Sequence, residues 1–202
     1  MQLLLDGVEL KSPFLMQPRR AMDDDEFLLF CSQHPDLRIE RTAKGDLLIM
    51  PPAGDESGYQ SLEVAGELRS WAKRDGRGQA FDSSAGFLLP NGACRAADAA
   101  WVLRSRLQKF TKQQRRKFLP LCPDFVVEVF SPTDRLPQLK SKMREWIENG
   151  AQLAWLLDPD RRTAYIYRPG REAERLVNLQ RLVGEPPVGG FILDLHDIWA
   201  GL

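Results

Sequence analysis

The chain has 202 residues, of which 43% are hydrophobic and 28% charged, a composition that fits one globular domain and excludes a disordered chain. Basic and acidic side chains both number 28, so the net charge of zero points to no class of partner. Three scattered cysteines, Cys31, Cys94 and Cys122, exclude a disulfide framework and a CxxC zinc site, which favours a cytoplasmic location. The apolar run at residues 3–5 is too short for a signal peptide or membrane span, so we expect no membrane association.

After an irregular leader at residues 1–20, hydrophobic periods and turn residues predict alternating helices and strands. In chain order these are a helix at 22–33, strands at 37–41 and 46–50, a helix at 55–75, strands at 79–81, 87–89, 96–103 and 125–130, a helix at 136–149, and strands at 153–157, 163–167 and 191–193. This order predicts an α/β fold of the mixed α+β kind, in which helices flank a mixed central sheet. No GxGxxG or GxxxxGK[ST] motif is present.

Glu128 is the only charged residue in the strand predicted at residues 125–130. A continuous apolar run is typical of a strand that is buried on both faces. A buried carboxylate requires a cation, a hydrogen-bond network or a raised pKa, because leaving it charged and alone costs several kcal/mol. A structural salt bridge, or an outward position on an edge strand, is the alternative interpretation.

Asp98 is likewise the only charge in its predicted strand, and its neighbours are alanines that leave room for a ligand. Capping of backbone amides is the alternative for this residue. Two such strands about thirty residues apart predict that Asp98 and Glu128 together bind Mg²⁺ or Mn²⁺, since carboxylate oxygens are the ligands that these ions prefer.

Two lysines of the helix at residues 136–149 could supply a cation near such a metal. Lys140 and Lys142 lie at opposite margins of the apolar stripe that contains Leu139 and Trp146, so periodicity cannot choose between them. The stem of Lys142 could lie along buried surface while its amine reaches the site. The alternative is that both are surface lysines with partly covered stems.

Residues 99–123 contain seven basic side chains and no acidic one. This basic segment is either a solvated helix or a surface that contacts nucleic-acid phosphates. Its candidate nucleic-acid-binding residues are Arg104, Arg106, Lys109, Lys112, Arg115, Arg116 and Lys117.

Several ordered motifs resemble the Uma-type restriction endonuclease family, which belongs to the PD-(D/E)XK nuclease superfamily. The resemblance covers about residues 24–170. It rests on Asp98, on Lys142 eight residues before Gly150, and on the segments at residues 54–58, 81–87, 123–132 and 150–159.

The resemblance implies a single restriction-endonuclease-like domain over residues 1–202, with a catalytic core at about 54–168 and an N-terminal helix–hairpin extension. Asp98 occupies the position of the Asp in the superfamily's "PD" motif, with Ala97 in place of the proline. Glu128 occupies the (D/E) position.

The lysine that the motif places two residues after Glu128 is replaced here by Phe130. The resemblance implies that Lys142 takes over its catalytic role, and that Glu56 is an auxiliary acid. It implies an endonuclease that uses Mg²⁺ or Mn²⁺ and has DNA as its partner, and we expect a homodimer. The competing hypotheses are a non-catalytic nucleic-acid-binding or interaction module on the same fold, and a purely structural homodimer.

Overall fold

The computed structural model describes residues 13–202. Most of the predicted leader, including the apolar run at residues 3–5, lies outside the described residues. The helices are α1 (Asp24–Gln33), α2 (Asp55–Asp75), α3 (Arg104–Leu107), α4 (Leu136–Glu148) and α5 (His196–Ala200). The strands are β1 (Phe14–Met16), β2 (Arg38–Arg41), β3 (Leu47–Met50), β4 (Gly78–Asp82), β5 (Phe87–Leu88), β6 (Cys94–Arg95), β7 (Ala99–Leu103), β8 (Phe125–Val129), β9 (Leu153–Asp158), β10 (Thr163–Tyr167), β11 (Glu174–Val177), β12 (Arg181–Val183) and β13 (Ile192–Asp194).

Six strands form a central sheet in the order β11-β10-β9-β8-β7-β4. The pair β8 and β9 is parallel and is joined by α4, whereas the other neighbours are antiparallel, so the sheet is mixed as predicted. All five residues of β8 are buried, which agrees with the apolar run expected for a strand covered on both faces.

Helices cover the two faces of this sheet. Phe125, Val127 and Val129 face a core that includes Val64 and Leu68 of α2. Val126, between them, faces a second core formed with Leu139, Met143 and Trp146 of α4. Because side chains alternate along a strand, Glu128 points to the α4 side.

Five short strands form a second sheet, which we call the N-terminal sheet, in the order β1-β3-β2-β6-β5. One face packs against Phe27 and Phe30 of α1 through residues such as Leu47 and Ile39. The opposite face carries alternate residues of the β2–β3 hairpin, including Glu40, and faces a cleft.

The structure differs from the sequence prediction in three places. The leader was expected to be irregular, but Phe14–Met16 pairs with β3 as an edge strand. The spacing of Leu62, Ala65, Leu68 and Ala72 in the sequence predicts the buried face of α2, yet Leu62 is 67% exposed, because Val64, Leu68 and Trp71 set that face. Only the strand at residues 191–193 was predicted after residue 168, yet β11, β12 and α5 also form there and join or cover the central sheet. None of the helices within residues 13–202 combines the length and apolar composition that crossing a membrane requires.

Candidate active site

A cleft of about 440 Å³ lies between the N-terminal sheet, the first half of α4 and the adjoining ends of β7 and β8. Its size falls in the range of ligand-binding pockets. Asp98, Glu128 and Lys142 all line it, so the structure brings together three of the residues that the sequence singled out. Glu40, Arg38 and Arg135, which the sequence did not single out, line it as well.

Asp98 sits one residue before β7 and is fixed by the neighbouring strand. Its Oδ2 atom accepts a hydrogen bond of 2.8 Å from the backbone amide of Val129. Ala99, paired with Val127, is the last residue of β7 that pairs with β8 at this end. The hydrogen bond from Val129 to the Asp98 side chain therefore extends the contact between the two strands beyond that pair. The second oxygen, Oδ1, receives no hydrogen bond from residues 13–202 and is available to a ligand in the cleft.

Glu128 lies at the end of β8 and is only 5% exposed. Its Oε1 atom accepts a hydrogen bond of 3.0 Å from the indole Nε1 of Trp146 and lies 2.9 Å from the ammonium of Lys142. The Oε2 atom has no donor among the described residues. Both carboxylates of the predicted pair therefore keep one oxygen that no protein group occupies.

The structure separates the two lysines that periodicity left equivalent. Lys142 shares the side of α4 that carries Leu139 and Trp146, and its ammonium reaches Glu128. Lys140 points instead to the central sheet, where its ammonium lies 3.9 Å from the ring centroid of Tyr165. Lys142 is thus the only one of the two that contacts a candidate metal ligand.

Glu40 of β2 connects the N-terminal sheet to this cluster. Its Oε1 atom lies 2.8 Å from the Lys142 ammonium, which also donates a 2.7 Å hydrogen bond to the Ala96 carbonyl. The Oε2 atom lies 3.0 Å from Arg95, whose Nε atom lies 2.6 Å from Glu145 on α4. A chain of ion pairs thus runs from Glu145 through Arg95, Glu40 and Lys142 to Glu128.

The pKa values of the residues in this chain of ion pairs follow from their burial and from the charges of their neighbours. Burial, together with the nearby charges of Asp98 and Glu40, raises the pKa of Glu128 to about 7. The Lys142 ammonium lowers that pKa, but by a smaller amount. Burial also raises the pKa of Asp98. Burial acts in the same direction on Glu40, but the charges of Lys142 and Arg95 outweigh it and lower that pKa. The Lys142 pKa is raised despite burial by Glu128 and Glu40, so the ammonium stays charged.

These residues fit a divalent metal. Asp98 and Glu128 each offer a free oxygen to the same cleft, and a bound cation would offset the burial that raises the pKa of both carboxyl groups. Across residues 13–202 no group of three or more His, Cys, Asp or Glu side chains is arranged for a metal. The two carboxylates would therefore share the ion with backbone carbonyls and water, which is the coordination that Mg²⁺ usually keeps.

The family is decided by comparison with known proteins. A family model described as "Putative restriction endonuclease", Uma2, matches residues 24–196. The chain belongs to the Uma2 family. A crystal structure of "a putative nuclease belonging to DUF820" from Anabaena variabilis superimposes with a TM-score of 0.73 and 21% identity, covering 89% of this chain and 98% of that chain. At that identity the likeness shows the fold alone, and it confirms the predicted fold class. No curated protein matches the sequence significantly.

Two sequence predictions for this Uma2 chain fall outside the cleft. Glu56, expected as an auxiliary acid, is exposed on the first turn of α2, does not line the cleft and lies against Gly201. None of the seven residues of the basic segment lines the cleft either. Its first basic residue, Arg104, follows the end of β7 opposite to Asp98, about 20 Å away along an extended strand.

The site residues missed by sequence reasoning lie in the N-terminal sheet and at the start of α4. Glu40 stands in the polar stretch Arg38–Arg41, which gives no contrast between a charge and an apolar setting. The one available signal was strand alternation, which places Arg38 and Glu40 on the face opposite Ile39. That signal does not tell which part of the chain this face meets.

Proposed function

We propose that this Uma2 protein is a metal-dependent endonuclease that hydrolyses DNA phosphodiester bonds. Its family and its fold support a nuclease. The observation that carries the finer proposal is the meeting of Asp98, Glu128 and Lys142 in one cleft. Mg²⁺ or Mn²⁺ held by the two carboxylates would polarise a phosphoryl oxygen and lower the pKa of an attacking water.

The chain's own groups fix this arrangement. The Val129 amide and the Trp146 indole each hold one oxygen of Asp98 and Glu128, which orients the remaining oxygens before a metal arrives. The Lys142 ammonium is charged and held by Glu40, so it can stabilise the negative charge that develops on the phosphate. Lys142 thereby replaces the lysine that is missing at Phe130.

The test is cleavage of supercoiled and linear DNA by the purified protein with Mg²⁺, with Mn²⁺ and with a chelator. We expect cutting with either ion, none with the chelator, and none by Asp98→Ala. Glu56→Ala is the matched control, because Glu56 is an acidic residue outside the cleft and should cut normally. Normal cutting by Asp98→Ala would overturn the proposed site, and loss of cutting in Glu56→Ala would restore its predicted role.

One observation favours the alternative of a non-catalytic binding module. The Lys142–Glu128 pair already gives the buried carboxylate a cation, which is also how a structural salt bridge looks. Calorimetric titration of Mn²⁺ separates the two: a nuclease site loses Mn²⁺ affinity in Glu128→Gln, whereas a structural pair binds no Mn²⁺ in either protein. The homodimer predicted from the sequence remains a prediction, which light scattering in solution would check.

A further inference from the structure

Two arginines at the mouth of the cleft have no partner within the described part of the chain. Arg38 on β2 and Arg135, immediately before α4, both line the cleft and are exposed. Neither guanidinium forms an ion pair or hydrogen bond with residues 13–202, whereas Arg95 and Lys142 in the same cleft are committed to buried carboxylates. Arg38 lies near enough to Asp98 for its charge to lower that pKa.

We propose that Arg38 and Arg135 bind the nucleic-acid phosphates on either side of the bond to be cut. This inference rests on the proposed function for the same cleft. It assigns the contacts with the nucleic-acid phosphates to these two arginines instead of to the basic segment at residues 99–123. Guanidinium groups suit this role, because they are permanently charged and present several donors to phosphate oxygens.

The positions of the two arginines support the proposal. They approach the cleft from different walls, one from the N-terminal sheet and one from the start of α4. The first turn of α4 contains no acidic residue, so the positive end of its dipole reinforces Arg135. An extended strand passing over Asp98 and Glu128 would therefore meet a cation on each side.

The basic segment is less suited to this task because much of its charge is used within the fold. Arg106 lies 2.7 Å from Asp124, and Lys117 lies 2.6 Å from Asp25. The guanidinium groups of Arg104 and Arg115 donate to the carbonyls of Gly76 and Phe110. Phe118, which follows the last basic residue of the segment, packs against Phe27 of α1. The end of the segment therefore lies on the α1 side of the N-terminal sheet, away from its cleft face.

The charge balance of the cleft adds a condition. Among residues 13–202, five carboxylates and four cationic side chains line it, so with all nine groups charged this lining carries an excess of negative charge. A bound divalent ion reverses that sign. We therefore expect Arg38 and Arg135 to bind phosphate strongly only when the carboxylates are occupied by a divalent cation.

The experiment measures binding of a fluorescently labelled 20-nucleotide DNA, as duplex and as single strand, by anisotropy in Ca²⁺, which takes the same oxygen ligands. The double variant Arg38→Ala/Arg135→Ala is compared with Arg115→Ala/Arg116→Ala, which removes the same charge from exposed positions of the basic segment. We expect the first to lose about tenfold or more in affinity, and its plot of log affinity against log salt to lose about 2 from its slope on duplex DNA. We expect the second to bind like the wild type.

Equal loss in the two double variants, or loss only in the basic-segment variant, would overturn the inference, as would absence of DNA binding by the wild type. Melting temperatures equal to that of the wild type exclude unfolding as the cause, since all four arginines are exposed. Cleavage by the wild type is scored separately. A protein that binds through Arg38 and Arg135 but never cuts would refute the proposed nuclease and leave standing only the binding of phosphates by these two arginines.

Discussion

The two ends of the β7–β8 pair carry buried carboxylates with different surroundings. At the end far from the cleft, Asp124 is 5% exposed, and each of its oxygens has a donor: the Leu103 amide at 2.8 Å and Arg106 at 2.7 Å. At the cleft end, Glu128 is as deeply buried, yet its Oε2 atom has no donor among residues 13–202. The two acids therefore differ in their hydrogen-bond donors and not in their burial, and we propose that the incomplete set of donors marks Glu128 as the functional one.

The largest expected difference is between variants at these two ends. Glu128→Gln keeps the shape and a hydrogen-bonding oxygen but removes a ligand charge, so we expect cleavage to fall on the order of a thousandfold with little change in melting temperature. Asp124→Asn should keep cleavage and lose about 2 kcal/mol in the free energy of unfolding, because it weakens two hydrogen bonds to a buried charge.

Denaturant unfolding and DNA cleavage of the two variants at one temperature would check this. A loss of cleavage in folded Asp124→Asn equal to that in Glu128→Gln would show that the two ends do not differ in function.

A second comparison uses the two lysines of α4. Lys142→Ala removes the cation between Glu128 and Glu40, and we expect cleavage to fall by about a hundredfold or more. Lys140→Ala, two residues away, removes only a cation that lies over the Tyr165 ring and should leave the cleavage rate unchanged. Single-turnover rates with saturating DNA would measure this. Equal rates in the two variants would remove Lys142 from the chemistry.

The raised pKa of Glu128 predicts a pH dependence of the free energy of unfolding and of Mn²⁺ affinity. Between the ordinary value of 4.5 and about 7, folded Glu128 keeps a proton that the unfolded chain has released. The unfolded state then binds fewer protons, so the free energy of unfolding falls as pH rises through this window. Mn²⁺ must displace the same proton, so its affinity should rise about tenfold per pH unit up to about 7 and then level off.

Calorimetry in two buffers of different ionisation enthalpy would count the protons released on Mn²⁺ binding, about one near pH 6. A flat Mn²⁺ affinity between pH 5 and 7 would contradict the raised pKa. Glu128→Gln should bind Mn²⁺ more weakly and with a flatter profile.

The smallest expected effect concerns Glu40, which holds Lys142 but is not one of the proposed metal ligands. Glu40→Gln leaves Lys142 with Glu128 and the Ala96 carbonyl, so we expect cleavage to fall by about tenfold. Combined with Lys142→Ala, it should cause no further loss in the cleavage rate, because the group it positions is gone. A full additional tenfold loss in the double variant would assign Glu40 a role of its own.

Sequence reasoning found Asp98 and Glu128 because a single charge in an apolar strand is conspicuous. It also predicted the central sheet well, since the runs that form β8, β9 and β10 are long and apolar. It missed β1, β11 and β12, which are three or four residues long and include exposed positions. Short elements of this kind are fixed by the partner they pair with rather than by their own residues.

The site predicted from the sequence lacked Glu40, because the position of Glu40 also depends on a distant part of the chain. Glu40 and Lys142 are 102 residues apart in the chain, and their contact exists only because the N-terminal sheet packs over α4. The partners of the basic segment are equally hidden in the sequence. The seven positive side chains of this segment can be counted in the sequence. Their pairing, of Arg106 with Asp124 and of Lys117 with Asp25, cannot be seen there.

The chain of ion pairs from Glu145 to Glu128 also sets the mechanics of the cleft. Two of its ion pairs, Glu40–Lys142 and Arg95–Glu145, connect the N-terminal sheet to α4 across the cleft. Moving the walls apart would break both links and leave buried charges unpaired, at a cost of several kcal/mol. The width of the cleft is therefore set before any ligand arrives, and under the proposed function a nucleic acid would have to adapt its own shape to enter.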